Sequence, residues 1–110
     1  MSMKIALSGK FSCYELICDD DGLIRCHNLK DDTTQTLCTF DPTYLSIRFK
    51  SERYKNLRKW MDRKVRILYE LNKSRRSSYS MTSGEKTRII NEFYSTLKTE
   101  VREFKLKDLE

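Results

Sequence analysis

The chain has 110 residues, of which 38% are hydrophobic and 35% charged, with a net charge of +6. That is room for one modest core, and twelve aromatic residues are too many for a disordered tail, so one domain spanning 1–110 is expected. No apolar run approaches the roughly 18 residues that cross a bilayer, and the first ten residues lack the apolar stretch of a secretory signal, so the expected location is cytoplasmic, or else nuclear. In that compartment Cys13, Cys18, Cys26 and Cys38 are expected to stay reduced.

Residues 1–50 carry six Lys and Arg against seven Asp and Glu, whereas residues 51–110 carry sixteen against nine. The positive charge therefore belongs to the second half. Such polarity bears on partners, because a basic surface attracts polyanions, and it says nothing of the fold.

The first half reads as strands. Phe11 to Cys18 and Leu23 to Leu29 flank Asp19-Asp20-Asp21-Gly22, and an Asp-Gly step between apolar runs predicts a hairpin, because glycine accepts a positive φ. The polar stretch Lys30 to Thr34 separates this hairpin from a strand over Gln35 to Phe40. Asp41-Pro42 then breaks the chain before Tyr44 to Phe49, in which Leu45, Ile47 and Phe49 share one face by period-two alternation. The expectation is an antiparallel meander of four to five strands.

The second half reads as two amphipathic helices, which makes the fold class α+β. From about Glu52 to Asn72, Leu57, Met61, Val65 and Leu68 form a stripe that Trp60, Ile67 and Leu71 widen. Thr82 with Glu85 fits a capping box, and Ile90, Phe93, Leu97, Val101 and Phe104 continue a second helix at helical spacing. The serine-rich basic stretch Lys73 to Ser80 between them is expected to be an exposed connection. Two wide apolar arcs that include Trp60, Tyr69 and Tyr94 exceed what a small sheet covers, which predicts a homodimer.

No motif for catalysis, metal or cofactor emerges. Cys13, Cys18, Cys26, His27 and Cys38 are the residue types of a zinc site, but the tight-turn spacing of ligand pairs is missing, and neighbours Cys26 and His27 point to opposite faces of a strand. Cys18 and Cys26 face one another only if the hairpin register allows it. The single histidine cannot reach Cys26 as a general base, and no strand-to-helix elbow presents a serine. Asp19 to Asp21 lack the alternate-ligand pattern of a calcium loop, and three glycines supply no phosphate-cradling loop.

The basic segment has a positive functional reading. From Arg53 to Arg76 there are ten Lys and Arg, Lys64 among them, against Asp62 and Glu70. At about 100° per residue, Lys55, Lys59, Arg63, Arg66 and Lys73 fall within a quarter of the helix circumference, opposite the apolar stripe. The expected function is non-enzymatic nucleic-acid binding: Lys55, Lys59, Arg63, Arg66 and Lys73, with Arg75 and Arg76 from the connection, contact the phosphate backbone of DNA or RNA without reading sequence. Phe11, Tyr14, Tyr44 and Phe49 add base stacking if they lie on an open sheet face. The alternative is a protein–protein interaction module docking an acidic or nucleic-acid-binding surface of another protein. The blandest reading is a solvated helix face, and membrane binding is disfavoured because the other helix face is needed for the core.

Overall fold

The computed structural model describes residues 3–7, 12–72 and 82–99. Five strands come first, β1 (Met3–Ala6), β2 (Tyr14–Cys18), β3 (Leu23–Asn28), β4 (Thr33–Asp41) and β5 (Ser46–Phe49), and they pair as an antiparallel meander in chain order. A 3-10 turn over Glu52–Tyr54 leads into α1 (Lys55–Asn72), and α2 (Ser83–Thr99) follows. This is the expected α+β arrangement.

The Asp-Gly hairpin joins β2 to β3. Gly22 has φ +95°, its N–H donates to Asp19 O at 3.1 Å, and its own carbonyl accepts the Phe40 N–H at 2.8 Å. A side chain there would collide with the Phe40 backbone, since an added Cβ would stand 2.2 Å from Phe40 O. The hairpin is thus locked to β4 as well as to itself.

Several boundaries differ from the expected ones. β1 has no counterpart among the expected segments; four residues are too few to show a period, and it is held by pairing Ile5 with Leu16 and Met3 with Cys18 on the buried face of β2. β4 begins at Thr33, not Gln35, because the turn closes earlier: Asn28 Oδ1 accepts the Lys30 N–H and Asp31 Oδ1 accepts the Thr33 N–H, which frees two β-branched threonines to pair with β3. Tyr44 and Leu45 belong to a turn, not to a strand. Asp41 Oδ1 accepts N–H groups from Thr43 and Tyr44, and Leu45 takes φ +50°, so its burial comes from the turn and not from alternation with Ile47 and Phe49. Phe11, residues 73–80 and the expected continuation through Val101 and Phe104 lie outside the described residues.

Both helices pack on one face of the sheet and share one core with it. Leu16, Cys18, Ile24, Cys26, Cys38 and Phe40 meet Leu57, Trp60, Met61, Val65 and Leu68 from α1 and Ile89, Ile90, Phe93, Tyr94 and Leu97 from α2. Each large apolar side chain buried there contributes on the order of 1.5–3 kcal/mol. A bulge in β4 pairs Ile24 with Cys38 but Arg25 with Thr36, which leaves Leu37 as the extra residue and lets Leu37 and its neighbour Cys38 both be buried. The Phe40 and Phe93 rings stack with centroids 4.3 Å apart, Cys38 Sγ lies 3.6 Å from Met61 Sδ, and the Tyr94 hydroxyl donates to Asp19 O. α2 is thereby anchored to the same hairpin that Gly22 closes. At its start, Thr82 Oγ1 accepts the Glu85 N–H at 3.2 Å, the contact expected of an N-cap threonine.

Candidate nucleic-acid interface

α1 divides sharply into two faces. Leu57, Trp60, Met61, Lys64, Val65, Leu68 and Asn72 are buried, while Lys55, Arg58, Lys59, Arg63 and Arg66 are exposed. Projected at about 100° per residue, Lys55, Arg66, Lys59 and Arg63 occupy a sector from 0° to 80°, and the buried set occupies the sector from about 140° to 280°. The four expected cations of α1 therefore stand together on its solvent side, spanning about 16 Å from Lys55 to Arg66 at 1.5 Å per residue. Lys73, Arg75 and Arg76 lie outside the described residues.

Three details correct the simpler picture. Lys64 does not contribute to the surface charge: it is buried, and its Nζ sits 5.4 Å from the Trp60 ring centroid, on the core side of the helix. Ile67 and Leu71, expected to widen the core-facing surface, are 48% and 68% exposed, while Leu68 and Asn72 beside them are buried. Asp62 and Glu70 are exposed on the same side as the cations, so the solvent face carries five positive against two negative side chains. Arg58, left out of the expected ridge, borders it near 300° in the same projection.

The 3-10 turn runs directly into α1: Ser51 Oγ accepts the Arg53 N–H and caps it, and Glu52 is the acidic residue of its first turn. Lys55 and Arg58 stand at and beyond the end of that turn, where the effect of the helix dipole has faded.

Among the described residues, none of the aromatics expected to stack lies on the open face of the sheet. Tyr14 and Phe49 have core parity and pack against the core, Phe49 beside Tyr54 with centroids 6.3 Å apart, and Tyr44 stands in the β4–β5 turn. Register places Lys4, Ala6, Glu15, Ile17, Arg25, His27, Thr34 and Thr36 on the open face instead, and none of these is aromatic.

The cysteines are dispersed within the sheet. Cys18 pairs with Ile24 and Cys26 with Leu16, so the two thiols are not opposite one another, and Cys38 is one strand further on. All four are free. Burial pushes the Cys18 and Cys26 thiols up to about 12 and raises Cys38 as well, which leaves all three scarcely ionised near neutral pH. Cys26 faces the core and His27 the open side. Among the described residues no three His, Cys, Asp or Glu side chains are grouped to hold a metal ion.

The class this defines is a small α+β protein with a cation-bearing helix backed by a five-stranded meander. No protein-family model, curated protein or solved structure matches the chain.

Proposed function

We propose that the protein is a non-enzymatic binder of nucleic acid that grips the phosphate backbone through the solvent face of α1. The observation that carries this reading is the placement of Lys55, Arg58, Lys59, Arg63 and Arg66 on that face, five exposed cations against the two α1 carboxylates Asp62 and Glu70. The side chains are long, exposed and cationic, which suits contact with phosphates. Lys73, Arg75 and Arg76 extend the same reading along the chain.

Binding to unrelated DNA and RNA across a salt series tests it. Four phosphate contacts give a slope of about −3 to −4 in log affinity against log salt, since each contributes roughly 0.7 to 0.9. A slope near zero, or no binding at low salt, would refute the proposal.

A second reading has one observation in its favour. Ile67 and Leu71 are exposed beside Arg63, an apolar edge to the ridge that suits a protein surface better than a phosphate backbone. In this reading α1 docks on an acidic partner, or pairs with a second copy of the chain. Trp60 and Tyr94 are buried in the chain's own core, so of the aromatics that suggested a homodimer only Tyr69 remains at the surface. Sedimentation across a concentration range separates dimer from monomer. No helix among the described residues is long and apolar enough to cross a membrane, and four free thiols accord with a reducing compartment such as the cytosol or nucleus.

A further inference from the structure

His27, the only histidine in the chain, is held from two sides on the open face of the sheet. Its Nδ1 lies 3.1 Å from Glu15 Oε1 on β2, and its Nε2 lies 2.7 Å from Asp32 Oδ1 in the β3–β4 turn. A neutral imidazole carries one N–H and satisfies one of these carboxylates; an imidazolium carries two and satisfies both. We propose that protonated His27 is a pH-sensitive latch that ties the β3–β4 turn to β2, closed at lower pH and released as the pH rises.

The geometry of the turn supports this. Asp32 sits at φ +58°, a conformation that side-chain-bearing residues seldom adopt, with Asp and Asn among the few that tolerate it. Its carboxylate is directed at the ring of a residue five positions earlier, so the contact with His27 holds the turn in this shape. Glu15 is the direct cross-strand partner of His27 in the register, which places the other carboxylate without any distortion. The His27 side chain is 19% exposed and that of Asp32 90%, so one side of the latch is sheltered and the other meets solvent.

The surroundings of the ring are mostly anionic. β2 contributes Glu15, and the turn contributes Asp32 and also Asp31, whose carboxyl is held low by its hydrogen bonds to Thr33. β4 offers uncharged Thr34 opposite and Thr36 beyond it, and along β3 the Arg25 guanidinium is turned to Asp19 at 3.2 Å. β1 places Ala6 opposite Glu15, with Lys4 two residues away on the same face. The hydrogen bonds to Glu15 and then Asp32 raise the His27 pKa above 6.5, with covering of the ring as the opposing influence. A raised pKa means that the stabilisation is complete below about 6.5 and is lost as the pH rises through the folded-state value. The change therefore falls above pH 6.5.

Because there is one histidine, its ring signals in an NMR titration need no assignment. The expected result is a midpoint above 6.5 in the folded protein, lowered in Glu15→Gln and again in Asp32→Asn, with the amides of residues 29–33 shifting at the same midpoint. Asp32→Asn removes the charge yet keeps a side chain that tolerates positive φ, and Glu15→Gln tests the latch independently should the turn variant fold poorly. In His27→Gln the turn amides should no longer respond to pH between 6 and 8. A midpoint at or below 6.5, turn amides that titrate independently of the ring, or variants that leave the midpoint unchanged would each overturn the latch.

Discussion

Replacing Gly22 with alanine probes the point at which hairpin, bulged strand and α2 meet. Two costs add. A residue with a Cβ loses about 1–2 kcal/mol when held in the left-handed region, here at φ +95°. The new methyl would also stand 2.2 Å from Phe40 O, a backbone atom that cannot rotate away; Phe40 stacks on Phe93 at 4.3 Å, so its displacement disturbs the contact between sheet and α2. Forced overpacking of this kind costs about 1–3 kcal/mol. The sum is roughly 2–5 kcal/mol, a large part of the 5–15 kcal/mol that typically holds a domain together. Urea and thermal unfolding followed by circular dichroism should show it, with Tm lower by at least about 8 °C for a chain of this size. Gly22→Asn separates the two costs, since asparagine tolerates positive φ but carries the same Cβ; it should recover less than half of the loss. An alanine variant within about 0.5 kcal/mol of the wild type would show that the hairpin is not locked to β4 as described.

Two other expectations follow from the same structure. Changing Lys55 and Arg58 to Gln should weaken nucleic-acid binding while leaving stability within about 0.5 kcal/mol, because both side chains are exposed and stand away from the Ser51 cap; a large fall in stability would count against that account. In the native protein at pH 8, Cys13, which is half-buried, should react with a thiol reagent before Cys18, Cys26 and Cys38. With thiols pushed up to about 12, Cys18 and Cys26 are ionised to only about one part in ten thousand at that pH, in addition to being shielded, so labelling of several cysteines at similar rates would contradict the core packing.

The parts of the fold that were legible in the sequence are those encoded by neighbours. The Asp-Gly hairpin, the two helices and the Thr82 cap each depend on residues a few positions apart. What escaped depends on distant partners: β1 is a strand because β2 offers it a buried edge, and Leu37 is buried because β4 carries a bulge that no local pattern announces. For the candidate site, helical periodicity alone placed Lys55, Lys59, Arg63 and Arg66 on the solvent side of α1. Lys64 is counted among the ten Lys and Arg of the basic segment without being placed on either face, and the structure buries it against Trp60. The exposure of Ile67 and Leu71 was hidden for a different reason: angle on the helix says which way a residue points, not whether another element lies there to cover it. The His27 contacts with Glu15 and Asp32 join residues twelve and five positions away through strand register and a turn, so only the folded chain brings them together.

The central claim is that the positive charge acts as an ordered ridge and not as bulk charge. The most direct measurement compares two variants with equal loss of charge: Lys59→Gln, Arg63→Gln and Arg66→Gln on the ridge, and Lys4→Gln, Lys30→Gln and Lys86→Gln, all exposed elsewhere on the sheet, its turn and α2. Affinity for an unrelated DNA or RNA is measured for both across a salt series. The ridge variant should bind much more weakly, with the slope of log affinity against log salt flattened by about 2 to 3 for three lost contacts, while the control keeps nearly the wild-type slope. Equal losses in the two variants, or an unchanged slope in the ridge variant, would contradict the account.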